Sequence, residues 1–154
     1  TRLLLDCLDP RPDDDCLDLG CGYGPIGCYL AWRAPRGRTL MVDRDFVAVD
    51  YAARNAAANC LANAEATLSN GLAQVGERQF DLIASNLPAK VGRELYRILV
   101  EDAFAHLRPS GRFYAVMIRQ LWPLLRREVE RVGAVAEKAA EGPRHVVLRA
   151  TRHG

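Results

Sequence analysis

Apolar residues fall along this chain in two rhythms that take turns. Short, mostly apolar runs alternate with longer stretches in which apolar positions recur every three or four residues. The first rhythm is that of strands buried on both faces and the second that of amphipathic helices. Residues 2–8 read as a short helix, 15–19 as a strand, and 20–24 as a tight loop. A helix over 25–32 follows, with Pro25 in a first turn whose N–H groups have no helical partner in any case. Residues 39–42 form the second strand, 46–63 a helix and 65–68 the third strand, with the alanine-rich stretch 52–66 favouring helix. Residues 80–85 make a fourth, fully buried strand. The helix over 92–107 places Leu95, Ile98, Leu99, Ala103 and Leu107 on one face. After a turn at 109–111 come a strand over 112–118 and a helix over 121–132. Two final strands, 134–139 and 145–151, are joined through Gly142-Pro143, a hairpin turn that makes them antiparallel.

This alternation predicts an α/β fold: a Rossmann-like, doubly wound, seven-stranded sheet, mostly parallel, with a C-terminal antiparallel hairpin. A chain of 154 residues suits one domain, 1–154, and its start at Thr1 suggests a portion of a longer chain. With 49% hydrophobic residues it can bury a substantial core. A net charge of +2 does not mark a nucleic-acid binder, although arginines gather late, at positions 119, 126, 127, 131, 144, 149 and 152. Such arginines are equally ordinary on solvated helix faces. The five cysteines form no C-x-x-C pair, which argues against zinc and disulfides and for a reducing cytoplasm. No run of about eighteen apolar residues and no leader is present, so no membrane association is expected.

The chemistry gathers at Asp18-Leu19-Gly20-Cys21-Gly22-Tyr23-Gly24, where a strand ends and a helix begins. Open α/β sheets bind ligands at such a point, and glycines let the backbone approach a ligand closely. Gly22, Gly24 and Gly27 also satisfy G-x-G-x-x-G, which on its own suits a dinucleotide equally well. Asp18 shifts the balance. A carboxylate there suits a ligand with a cationic amino acid moiety and would repel a pyrophosphate. Asp43, about twenty residues on, ends the second strand where a carboxylate can accept both ribose hydroxyls. The plainer alternative is that Asp18 caps the loop and Asp43 the next helix. Cys21 reads simply as a small loop residue.

Asp18–Gly24, Val42-Asp43-Arg44-Asp45 and Ser85-Asn86-Leu87-Pro88 together resemble the class I methyltransferases. More narrowly, the chain resembles the "methyltransferase small domain" group typified by ribosomal RNA small-subunit guanine-N2 methyltransferases. The likeness begins at Thr1-Arg2-Leu3-Leu4-Leu5, continues through Arg54-Asn55-Ala56-Ala57-Ala58-Asn59 and Leu107-Arg108-Pro109-Ser110-Gly111-Arg112, and covers essentially the whole chain. A parallel sheet with a terminal antiparallel pair is that family's arrangement rather than the usual dehydrogenase one. The resemblance implies S-adenosylmethionine as cofactor. Gly20, Cys21, Gly22, Tyr23 and Gly24 would cradle its methionine part, Asp43 with Arg44 its ribose side, and Ser69-Asn70-Gly71 its adenine. It implies ribosomal or other RNA as partner and no metal.

Two positions depart from the family. Asn70 stands where aspartate is usual, and its amide oxygen can still accept from an adenine amino group. Asn86-Leu87-Pro88-Ala89 replaces Asn-Pro-Pro-aromatic. In the family, the asparagine side chain and the next carbonyl accept from a planar amine and aim its lone pair at the methyl group, while the aromatic stacks on the base. Asn86 and the Leu87 carbonyl, with Pro88, keep the first part and are the expected catalytic residues. Ala89 removes a stacking surface typically worth about 1–3 kcal/mol, leaving Tyr23, Tyr96 or another aromatic as substitute. Asn86-Leu87-Pro88 is otherwise an ordinary strand exit, and Lys90 either a phosphate contact or a solvated lysine. No histidine lies near these motifs; His106, His145 and His153 read as structural or exposed. Three alternatives stay open: a donor-binding domain with little catalysis, an NAD-dependent oxidoreductase, and a methyltransferase acting on a protein amide or small amine.

Overall fold

The computed structural model describes residues 1–152. In chain order the elements are α1 (Arg2–Leu5), β1 (Cys16–Leu19), α2 (Pro25–Arg33), β2 (Thr39–Asp43), α3 (Phe46–Ala58), β3 (Ala64–Leu68) and β4 (Phe80–Asn86). They continue as α4 (Arg93–Ala105), β5 (Leu107–Ile118), a 3-10 turn (Arg119–Leu121), α5 (Trp122–Arg131), β6 (Ala134–Glu141) and β7 (His145–Arg152). The strands form one seven-stranded sheet in the order β3-β2-β1-β4-β5-β7-β6. The first five in that order are mutually parallel. β7 inserts antiparallel between β5 and β6, and Gly142 N–H donates to the His145 carbonyl at 2.8 Å to close the hairpin.

The two-residue side-chain period splits the core into layers. On β4 and β5, Ile83, Phe113, Ala115 and Met117 pack under α4 and α5 with Tyr96, Val100, Leu125 and Val129. Their neighbours Leu82, Ala84, Tyr114 and Val116 face the other way, against Leu4, Ile26 and Leu30 of α1 and α2. α3 covers Met41 through Ala52 and Ala56. Both faces of the central strands are therefore dry, and all of β1 is buried.

Several expected features shift. The third helix stops at Ala58 rather than residue 63: Asn59 donates from its amide to the Asn55 carbonyl, Cys60 takes a left-handed φ of 57°, and Ala64 and Ala66 join β3. In α4 the buried face is Tyr96, Val100, Ala103 and Phe104, while Leu95 and Ile98 are 48% and 42% exposed. The helix is thus turned by about one residue, or 100°, from its apolar stripe, and its first buried residue is tied to the loop before it. The turn at 109–111 is absorbed into β5 as an irregularity, since Phe80 pairs with Leu107 but Leu82 with Arg112.

At the amino ends of the parallel strands, Arg112 pairs with Asp14 at 2.8 Å, with side chains 3% and 8% exposed. Arg108 bridges Asp15 and Asp81 at 2.9 and 2.6 Å. Of the late arginines, Arg149 bonds the Tyr114 hydroxyl and Glu137, each at 3.1 Å, and Arg152 donates to the Phe104 and Leu107 carbonyls. These two serve the fold. No helix among the described residues is long and apolar enough to cross a membrane. His153 lies outside the described residues.

Candidate active site

The loop after β1 is built on backbone geometry. Gly20, Gly22 and Gly24 take φ of 73°, 56° and 94°, a left-handed region that disfavours side chains. Gly20 and Cys21 N–H both donate to the Val42 carbonyl, at 2.9 and 2.8 Å, which hangs the loop on β2. A Cβ on Gly20 or Gly22 would meet nothing within 4 Å, so the loop's outer side is open. Gly24 and Gly27 serve a different purpose. A Cβ on Gly27 would fall 2.3 Å from Met41 Cγ, and one on Gly24 3.1 Å from Ala52 Cβ, so these glycines let α2 and the loop pack on β2 and α3. The G-x-G-x-x-G pattern is therefore split between an open cradle and a packing contact.

Asp18 is fully buried beneath the loop, at 0% exposure. Its Oδ2 accepts from the N–H of Gly27, the third residue of α2, at 2.8 Å, satisfying an amide that has no helical partner. Its Oδ1 has no partner among the described residues. Burial pushes the Asp18 carboxyl up to about 7, against the pull of the Gly27 bond and with the help of the nearby Asp43 charge. Asp43 is half-buried and joins two turns: Oδ2 accepts from Gly22 N–H and Oδ1 from Asp45 N–H, both at 2.9 Å. The cap of α3 is Asp45, which accepts from Val47 N–H at 2.9 Å, so Asp43 is left to the loops. Arg44 beside it is exposed.

The turn after β3 is drawn to the same place by Ser69 N–H, which donates to the Asp43 carbonyl at 2.9 Å. Ser69 Oγ donates to the Gly71 carbonyl at 2.8 Å and Asn70 N–H to Gln74 Oε1 at 2.8 Å, leaving Asn70 and Gly71 exposed on a preformed turn. Tyr23 is 64% exposed on the glycine loop, and its carbonyl accepts from Asn55 Nδ2 at 2.7 Å. Cys21 is buried and its thiol is pushed up to about 12 by burial, in keeping with a small packed residue.

Asn86 ends β4 one residue beyond the pair Leu19–Ser85, so its exposed side chain stands next to the glycine loop. Ser85 Oγ donates to the Leu19 carbonyl at 2.8 Å and locks the two strand ends together. Leu87 is buried, with its N–H bonded to the Val116 carbonyl at 2.9 Å, and Pro88 is exposed. The Pro88 carbonyl accepts from the Tyr96 hydroxyl. Tyr96 is only 2% exposed, so it anchors the Asn86-Leu87-Pro88 loop and offers no face for stacking. Its spacing from Pro88 carries no signal in sequence; neither do the Ser85 and Asn55 bonds.

Lys90 is exposed beside the loop. His106 is structural, with ring nitrogens 2.8 and 3.0 Å from the Asp102 and Gly76 carbonyls, and His145 is exposed at the start of β7. Among the described residues no three His, Cys, Asp or Glu side chains group as a metal site requires.

With this geometry, the sequence signature of the methyltransferase small domain matches residues 1–146. The chain belongs to the methyltransferase small domain family. Its similarity to individual members is moderate. It is 33% identical over 119 residues to the Bacillus subtilis (strain 168) protein YbxB, covering 76% of this chain and 59% of that protein. It is 34% identical over 144 residues to ribosomal RNA small subunit methyltransferase C of Stutzerimonas stutzeri (strain A1501), covering 90% of this chain and 43% of the relative. Among solved structures, the T. thermophilus 16S rRNA N2 methyltransferase RsmC, in complex with AdoMet and guanosine, superposes with a TM-score of 0.82 at 28% identity. That superposition covers 98% of this chain and 42% of RsmC. This small-domain chain thus spans about half the length of the proteins it matches.

Proposed function

We propose that residues 1–154 act as one S-adenosylmethionine-dependent methyltransferase domain that methylates an exocyclic amine of an RNA base, as a guanine-N2 enzyme does, in the cytoplasm. The observation that carries this reading is Asn86: an exposed carboxamide at the carboxyl end of β4, beside an open glycine loop and above a buried carboxylate.

The residues present fit such a donor. The open faces of Gly20 and Gly22 leave room for a ligand against the backbone, and Cys21, Tyr23 and Gly24 complete the cradle. The unpartnered Asp18 oxygen adds negative potential beneath the loop, which favours a cationic ligand. Asp18 acts there through its field and by fixing α2, since it does not reach the surface. Asp43 retains acceptor capacity for ribose hydroxyls, with Arg44 beside it, and Asn70 and Gly71 flank the adenine side. When bound, the donor supplies a methyl group already activated on a sulfonium.

What remains for the chain is alignment and exclusion of water. The Asn86 oxygen and the Leu87 carbonyl accept the two hydrogens of a planar amine, and Pro88, held by Tyr96, keeps that carbonyl in place. The names of the relatives above support RNA as acceptor. Ala89, with Tyr96 buried, favours a second reading in which the acceptor is an unstacked amine of a protein or small molecule; for a base, Tyr23 on the glycine loop is an exposed aromatic that could supply the stacking face.

The test is Asn86→Ala, assayed for methyl transfer to RNA together with the thermal shift by S-adenosylhomocysteine. Turnover should fall about 10²–10³-fold, as for loss of other preorganised polar groups, with the thermal shift retained. Unchanged turnover would refute the role of Asn86. Donor binding without transfer to any RNA would refute the acceptor.

A further inference from the structure

Two open grooves meet at Trp122 and Pro123. One, about 400 Å³, runs along the outer face of α5 between the row Trp122, Arg126, Glu130 and the row Pro123, Arg127. Side chains four residues apart on a helix stand one above the other, so the two rows form parallel walls. The second, about 310 Å³, lies between the 3-10 turn and the β6–β7 hairpin, where Arg119, Lys138 and Glu141 line it.

Cations outnumber carboxylates here, with Arg119, Arg126, Arg127 and Lys138 set against Glu130 and Glu141. The one Glu141 carboxylate serves both Arg119 and Lys138, at 3.1 and 3.4 Å, and Arg126 meets Glu130 at 3.0 Å. All these side chains are at least 39% exposed, so the pairs contribute little to stability and exchange readily for another anion. Trp122 is half-buried, with the Lys138 ammonium 5.4 Å from its ring centroid. Below, Leu125 and Val129 are fully buried and hold α5 rigidly to the core.

The second groove begins just past the carboxyl end of β5, the strand that pairs with the end of β4. Asn86 pairs with Val116 of β5, and Arg119 follows Val116 by three residues, about 10 Å of extended chain. That distance spans about three stacked nucleotides at 3.4 Å each.

We infer that these grooves form a track for the single-stranded RNA that flanks the methylated nucleotide, with Trp122 as a stacking wall and the four cations as phosphate contacts. The inference rests on the RNA reading above. An aromatic wall where two cation-lined grooves meet suits a strand that alternates bases with phosphates; an acidic peptide would use the cations and leave the indole idle.

A Trp32→Phe background leaves Trp122 as the only tryptophan of the chain's two. In that background a twelve-nucleotide single-stranded RNA should quench Trp122 fluorescence, and polyglutamate at the same charge concentration should not. Arg126→Glu combined with Arg127→Glu should raise the RNA Kd at least about ten-fold. The slope of log affinity against log salt should fall by about 1.4, from two lost contacts at about 0.7 each. The thermal shift by S-adenosylhomocysteine should stay unchanged. Methylation of RNA with affinity, slope and fluorescence all insensitive to the groove would overturn the track alone. Quenching by polyglutamate would assign the groove to a protein partner and overturn it too. If the unaltered chain binds neither S-adenosylhomocysteine nor RNA, the methyltransferase reading falls and the track with it.

Discussion

Replacing Asp18 with asparagine should strengthen the fold above neutral pH while weakening its hold on a cationic ligand. Asp18 is sealed from solvent, accepts one bond from Gly27 N–H at 2.8 Å, and leaves Oδ1 without a partner among the described residues. Its carboxyl is raised from 3.8 to about 7, so between those values the folded chain holds a proton that the unfolded chain has released. The favourable contribution is full below about pH 4, is lost as pH rises through 7, and stays lost above it. A rise of about 3 pH units at 1.36 kcal/mol each bounds the change at about 4 kcal/mol. Asparagine keeps an oxygen for Gly27 but puts an N–H₂ where Oδ1 had no partner, a cost of about 1–3 kcal/mol. The net expectation for Asp18→Asn is a gain of about 1–3 kcal/mol at pH 8.5 and a loss of about 1–3 kcal/mol at pH 4, where the wild-type carboxyl is protonated and nothing offsets the amide cost. Urea unfolding of both proteins at pH 4, 5.5, 7 and 8.5 measures this as a difference, so that other carboxylates cancel. A difference that is flat with pH, or that favours the wild type at high pH, would refute the buried-charge argument. In the same samples the shift in Tm produced by S-adenosylhomocysteine should be smaller for the variant.

Two further outcomes follow from single contacts. Tyr96→Phe removes the bond to the Pro88 carbonyl; it should cost about 1 kcal/mol, or about 2–4 °C in Tm, and lower kcat while donor affinity holds. An unchanged kcat would show that the Asn86-Leu87-Pro88 loop keeps its shape unaided. Arg112→Met strands the Asp14 carboxylate, whose side chain is only 8% exposed, and should destabilise by about 3–5 kcal/mol. Thermal melts check this, and Asp14→Asn added to the same protein should restore part of the loss.

Much of this molecule was legible along the chain because the relevant physics is local. Three left-handed glycines, a proline in a first helical turn, a Gly-Pro hairpin and runs of residues buried on both faces each carry their own conformational preference. They were enough for the α/β class, the antiparallel end of the sheet and the glycine loop beside Asp43. Other features depend on residues brought together from far apart. The seating of β7 between β5 and β6 is set by strand pairing, which no short segment specifies. The apolar stripe of α4 pointed to Leu95 and Ile98, yet the Tyr96 bond to Pro88 and the packing of Val100 and Phe104 turned another face inward. Asp18 was legible as a carboxylate beside the glycine loop, but its burial and its bond to the Gly27 N–H come from the close approach of α2 to β2 that Gly27 permits. Of the late arginines, folding spent Arg149 and Arg152 on internal bonds and gathered Arg119, Arg126 and Arg127 around Trp122. Spacing along a chain fixes what a residue and its near neighbours can do; whether a charge meets water, a partner or a groove depends on which distant surfaces close over it.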